Sequence, residues 1–93
     1  MIVEIHLTQN VERDLRKLPT HIVSKLKTWI DLVEINGLEV ARKNQGLHDE
    51  PLKGKRLGQR SIRLNHSYRA IYTAERLNDR IKIIVHEVNK HAY

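Results

Sequence analysis

The sequence predicts an α+β domain in which an N-terminal strand and a helical hairpin precede a three-stranded antiparallel meander, with the helices on one sheet face. Three observations carry this. Apolar residues alternate in Ile2-Val-Glu-Ile-His-Leu7, recur at helical spacing from Val11 to Val33, and alternate again after Gly58. The connections between the later strand-like runs, Asn65-His66-Ser67 and Leu77-Asn78-Asp79, are short enough to force antiparallel neighbours. A helix pair with one apolar stripe must cover something, and the sheet supplies it.

Each element has its own signal. Side chains alternate across a strand, so Val3, Ile5 and Leu7 share the buried side of the first one. Thr8 begins a helix with Val11, Leu15 and Leu18 at i, i+4 and i+7. Pro19 punctuates it, and Thr20 is the expected N-cap of a longer helix carrying Ile22, Leu26, Trp29, Ile30 and Val33 on one stripe. Asn36-Gly37 ends that helix. Residues 38–46 fit a helical turn or two but do not demand one. A loop from Leu47 to Gly58 is punctuated by Pro51, Gly54 and Gly58. Strands are expected at about 59–65, 68–75 and 80–88, with Asn89 to Tyr93 as a polar tail. No repeat or composition shift divides the chain, so residues 1–93 read as one domain.

Composition narrows the function classes. There is no cysteine, which excludes disulfides and thiolate metal sites. No His-x-x-His or His-x-x-x-His pair exists, and neither a metal nor a cofactor is expected. No apolar run approaches the roughly 18–20 residues of a spanning helix. The opening Met1-Ile-Val-Glu-Ile lacks the basic region and long apolar stretch of a signal peptide. A soluble cytoplasmic protein without a membrane partner is the expectation.

Charge is the more specific clue. Seventeen Lys+Arg against eleven Asp+Glu give a net charge of +6, and the distribution is uneven. Between Pro51 and Ala74 no acid occurs, while Lys53, Lys55, Arg56, Arg60, Arg63 and Arg69 do. Such a stretch attracts a polyanion, and RNA or DNA is the natural candidate. Within it Ile62 and Leu64 alternate against Ser61, Arg63 and Asn65, so the cations are mounted on a sheet face and not on a tail. Tyr68 and Tyr72 have the opposite parity to Arg69, which sends Tyr72 toward the core and Arg69 outward.

The runs Pro51-Leu-Lys-Gly, Arg60-Ser-Ile-Arg-Leu-Asn, Tyr68-Arg-Ala-Ile-Tyr72 and Asn89-Lys-His-Ala-Tyr93, in this order and spacing, resemble toxins of the RelE/ParE superfamily. These are the toxin halves of bacterial type II toxin–antitoxin modules. The likeness spans nearly the whole chain and is greatest to the RNA-cleaving branch of RelE, YoeB, YafQ and HigB. What the resemblance implies is a RelE-like domain that cuts mRNA in the ribosomal A site and is held in check by a cognate antitoxin.

Metal-independent RNA cleavage uses the ribose 2′-OH as nucleophile. It needs a base, cations for the phosphorane charge, and an acid for the departing 5′-oxygen. By resemblance Glu50, immediately before Pro51-Leu-Lys, is the base, with His48 as a substitute. Arg69 holds the scissile phosphate, where a planar guanidinium binds two oxygens, and Arg63 shares its face. Lys53, Lys55, Arg56 and Arg60 are expected to hold RNA backbone. His91 or Tyr93 supplies the proton to the leaving group. YoeB-like tails end in adjacent His-Tyr, whereas Ala92 intervenes here, which leaves the choice between the two open. A packed or surface role is the expectation for His86, and core or hairpin packing for Trp29. The competing function within the same superfamily is a ParE-like DNA gyrase inhibitor without nuclease activity.

Overall fold

A computed structural model describes residues 2–90. Strand β1 (Ile2–Leu7) is followed by helices α1 (Gln9–Leu15), α2 (Thr20–Asn36) and α3 (Leu38–Arg42). Then come strands β2 (Glu50–Pro51), β3 (Arg60–Arg63), β4 (Tyr68–Leu77) and β5 (Arg80–Lys90). They form one five-stranded sheet in the order β1-β5-β4-β3-β2. Strand β1 runs parallel to β5, and every other pairing is antiparallel.

The helices start and stop for local reasons. Thr8 is extended, and its hydroxyl accepts the Val11 N–H at 3.2 Å, an N-cap for α1. Thr20 does not cap α2 as its sequence position suggests. Pro19 holds the extended cap conformation, its carbonyl accepts from Ile22 and Val23, and Thr20 is the first helical residue. Gly37 terminates α2 at φ +89°, where a side chain would be strained. Residues 38–46 resolve into α3, which buries Leu38 and Ala41, and a short 3₁₀ turn at Gln45–Leu47.

The core lies between the helices and one face of the sheet. Val11, Ile22, Leu26, Trp29 and Val33 meet Ile62, Ala70, Tyr72, Ile83, Val85 and Val88, all nearly or fully buried. Val3, Ile5 and Leu7 of β1 pack against the same cluster. Trp29 and Tyr72 are at its centre, with ring centroids 5.1 Å apart and planes inclined at 48°, a tilted geometry that suits aromatic quadrupoles.

Strand β5 changes phase partway along. Ile81, Ile83 and Val85 face the core at a period of two, but the next core residue is Val88. A β-bulge accounts for this: Tyr72 pairs with Val85 and Ile71 with Glu87, so His86 is the extra residue. Without the bulge Glu87 and Asn89 would be driven into the core. With it they face outward beside Arg69.

Two further expectations change. The loop from Leu47 to Gly58 contains β2, so the meander gains a fourth strand at its edge, and a 3₁₀ turn at Gly54–Arg56. Asn89 does not begin a tail, because β5 continues through Lys90 and pairs Asn89 with Arg69. His91 and Tyr93 lie outside the described residues.

Candidate active site and nucleic-acid interface

The sheet face away from the helices is assembled by register. Ser61, Ile71 and Glu87 share one row across β3, β4 and β5, and Arg63, Arg69 and Asn89 share another. Paired residues point to the same side of a sheet, so Arg63 and Arg69 are neighbours on the outer face. Glu50 is opposite Ser61 and therefore joins that face.

The segment His48-Asp49-Glu50 alternates like a strand even though only its last residue is in one. His48 takes a left-handed conformation (φ +46°) that turns the chain into β2. Outward, Glu50 Oε2 is 3.3 Å from His48 Nε2 and Glu50 Oε1 is 3.8 Å from an Arg69 terminal nitrogen. Inward, the Asp49 side chain is fully buried: Arg60 Nε donates to it at 2.6 Å and the Tyr72 hydroxyl at 2.5 Å. Burial, and then the bond to Asp49, push the Tyr72 phenol up to about 12.

The cations divide by what they touch. Arg69, with 21% of its side chain exposed, borders two hollows: one with Arg63, Asn65, His66 and Tyr68, the other with Leu52, Arg56, Ile71 and Asn89. Arg63 is exposed and has no ion pair among the described residues; the same holds for Lys53 and Lys55 on the loop. Arg56 reaches across to Glu87 at 2.6 Å, and Asn89 donates to the same carboxylate at 3.1 Å. The Arg56 guanidinium holds the Glu87 carboxyl below the usual carboxylate range. Together the loop and this pair close over Ile71, which is buried on the outer face. Arg60 differs from the rest: its register with Tyr72 puts it on the helix side, where Asp49 engages it.

Glu50, Arg69 and Arg63 are thus brought to one face with Arg56 beside Arg69, Lys53 and Lys55 are exposed on the adjoining loop, and Arg60 is not brought there. Residues that the sequence reading left without a role also line the site, namely His66 and Asn89. The phase slip of β5, with apolar residues at 81, 83, 85 and then 88, is the signal that could have found Asn89. His86 is half-buried and hydrogen-bonds Thr73 at 2.8 Å, a packed role. Among the described residues no group of three or more His, Asp or Glu could hold a metal. Among the described residues no helix is long and apolar enough to cross a membrane.

The sequence matches no protein-family model and no curated protein. Solved structures match closely in shape. A YoeB/ParE toxin from Agrobacterium tumefaciens superposes with a TM-score of 0.70 at 19% identity, covering 96% of this chain and 99% of that one. The YoeB–YefM complex from Staphylococcus aureus gives 0.68 at 23% identity over 99% and 100% of the two chains. The DinJ–YafQ toxin–antitoxin complex from E. coli gives 0.70 at 21% identity over 98% and 94%. The chain therefore has the α+β fold of the RelE/YoeB/YafQ-type toxins.

Proposed function

We propose that this chain is the toxin of a type II toxin–antitoxin module and acts as a ribosome-dependent, metal-independent mRNA endonuclease in the cytoplasm. The observation that carries the reading is Glu50 standing between His48 and Arg69 on a cationic sheet face, within a toxin fold. A carboxylate beside a guanidinium, with further cations around it, is what cleavage by the neighbouring hydroxyl asks for.

In this mechanism Glu50 takes the proton from the ribose 2′-OH. The oxygen attacks the adjacent phosphorus, forming the O2′–P bond as the P–O5′ bond breaks. Arg69 and Arg63 bind the equatorial oxygens and offset the charge that develops on them. At 3.8 Å the Glu50–Arg69 contact is longer than a hydrogen bond, so the guanidinium N–H groups are available to a phosphate. His48, whose Nε2 is 3.3 Å from the Glu50 carboxylate, is the substitute base. His91 or Tyr93, assigned from sequence, returns a proton to the 5′-oxygen. The products are a 2′,3′-cyclic phosphate and a 5′-hydroxyl end. Lys53, Lys55 and Arg56 carry phosphates on either side of the cut, while Arg60 is reserved for the interior. A cognate antitoxin inhibits by covering or distorting this face; the likeness in fold to the toxin of the DinJ–YafQ toxin–antitoxin complex supports such a partner.

Inducible expression with mapping of mRNA 5′ ends tests the reading. Cuts at a fixed place within translated codons support it. Intact mRNA with DNA-damage signalling overturns it in favour of a gyrase-directed toxin. Glu50→Gln keeps the shape and removes the base, and is expected to slow single-turnover cleavage about a hundredfold while ribosome binding is unchanged. Cleavage at the wild-type rate removes Glu50 from the mechanism.

A further inference from the structure

The residue next to the proposed base has a buried, charged side chain and no part in the chemistry above. Asp49 belongs to a segment held between buried Leu47 and the Leu52–Gln59 backbone bond by only a short ladder. Strand β2 has only two residues and two register partners, and His48 enters it from a left-handed turn. A ladder this short does not fix a side chain by itself.

Asp49 supplies what the ladder lacks. Each of its oxygens takes one donor, Arg60 Nε on β3 and the Tyr72 hydroxyl on β4. Those two donors are opposite one another in the register, so the carboxylate is pinned to a single rung spanning both strands. Tyr72 is in turn packed on Trp29 in the core. Strand β4 also carries Arg69, three residues before Tyr72. The chain entering β2 is therefore joined to β4 twice: tightly inside by Asp49 and Tyr72, loosely outside by Glu50 and Arg69.

We propose that Asp49 is a positioning residue, whose buried bonds to Arg60 and Tyr72 set Glu50 and His48 over Arg69 on the outer face. Its catalytic consequence rests on the nuclease reading above; its geometric consequence does not. Alternation along the segment makes the two inseparable, because a turn of the backbone that frees Asp49 also swings both of its neighbours.

The test is a cycle of Asp49→Asn, Glu50→Gln and the double variant, read by single-turnover cleavage on ribosomes and by NMR of the free protein. The amide of Asp49→Asn keeps an acceptor for Tyr72 and sets a donor against Arg60. Cleavage is expected to fall about tenfold or more through kcat, with KM unchanged. In the Glu50→Gln background the same change is expected to cost less than about twofold, since it acts through Glu50. Equal losses in both backgrounds overturn the proposal and leave a merely structural role. If the wild-type chain cleaves nothing, the nuclease reading fails, and NMR still decides the geometry. There, the His48 imidazole resonances in Asp49→Asn are expected to move toward their Glu50→Gln positions. The Leu52 amide, bonded to the Gln59 carbonyl at 2.9 Å, is expected to exchange at least about tenfold faster. Unchanged His48 resonances and Leu52 exchange overturn the proposal. Should Asp49→Asn not fold, Tyr72→Phe removes one of the two donors and is read in the same ways, with a smaller effect expected.

Discussion

Asp49 and Glu50 are adjacent carboxylates, each beside an arginine, on opposite faces of the same sheet edge. Inside, the Asp49 side chain is fully buried, and its two donors are at 2.6 and 2.5 Å. Outside, Glu50 is 44% exposed, and its arginine is 3.8 Å away. The Asp49 carboxylate is saturated and shut off from solvent, so it can only hold structure. The outer pair is loose and wet, and an incoming phosphate has room to engage it. Charge type does not separate the two; burial and distance do.

The largest effect that tests this contrast is on the inner side. Arg60→Leu leaves the Asp49 carboxylate buried without its cation and is expected to cost about 3–5 kcal/mol in urea unfolding. A loss below about 1 kcal/mol would make the inner pair as loose as the outer one. On the outer side, Arg69→Ala is expected to leave unfolding within about 0.5 kcal/mol of wild type. The same variant should lose at least about a hundredfold in cleavage and most growth inhibition. Full toxicity there would remove Arg69 from the site.

Alkaline titration probes the inner network without a mutation. The Tyr72 phenol has its folded-state value raised above the unfolded one, so in the folded chain it binds a proton that the unfolded chain releases first. Stability from this source is complete below about pH 10 and is lost as pH rises toward about 12. The loss amounts to roughly 2–3 kcal/mol at most. It is read by unfolding at stepped pH, with phenolate absorbance reporting the ionisation. Tyr72→Phe should flatten that dependence. The smallest effect belongs to the exposed Arg56–Glu87 strap, where solvent screens the pair. Glu87 is held below its ordinary value, so its contribution is present above about pH 4.5 and fades as pH falls. Arg56→Ala should change melting little at pH 7 and remove that acid-side slope.

The sequence made much of this legible because periodicity is local. The alternation that sends Tyr72 inward sends Arg69 outward, and both are found so. The helix stripes, the core role of Trp29 and the breaks at Pro19 and Gly37 follow from residues within a few positions of one another. Arg60 shows the limit of reading by charge. It shares a basic run with Arg56 and Arg63, yet its parity with Ile62 puts it on the helix side, where a carboxylate eleven residues earlier meets it. The strand at Glu50–Pro51 was hidden for a related reason: two residues carry no period, and only a partner strand makes them one.

By itself the sequence determined the order of the main elements, the outward faces of Arg63 and Arg69, and the cationic character of the exposed side, since these depend on spacing and composition. The tertiary structure alone decided that β1 would lie parallel to β5, that Asn89 would pair with Arg69 across the sheet, and that two neighbouring acids would part, one to the interior and one to the site. Those outcomes depend on which distant residues supply donors and space, and no local pattern encodes a partner.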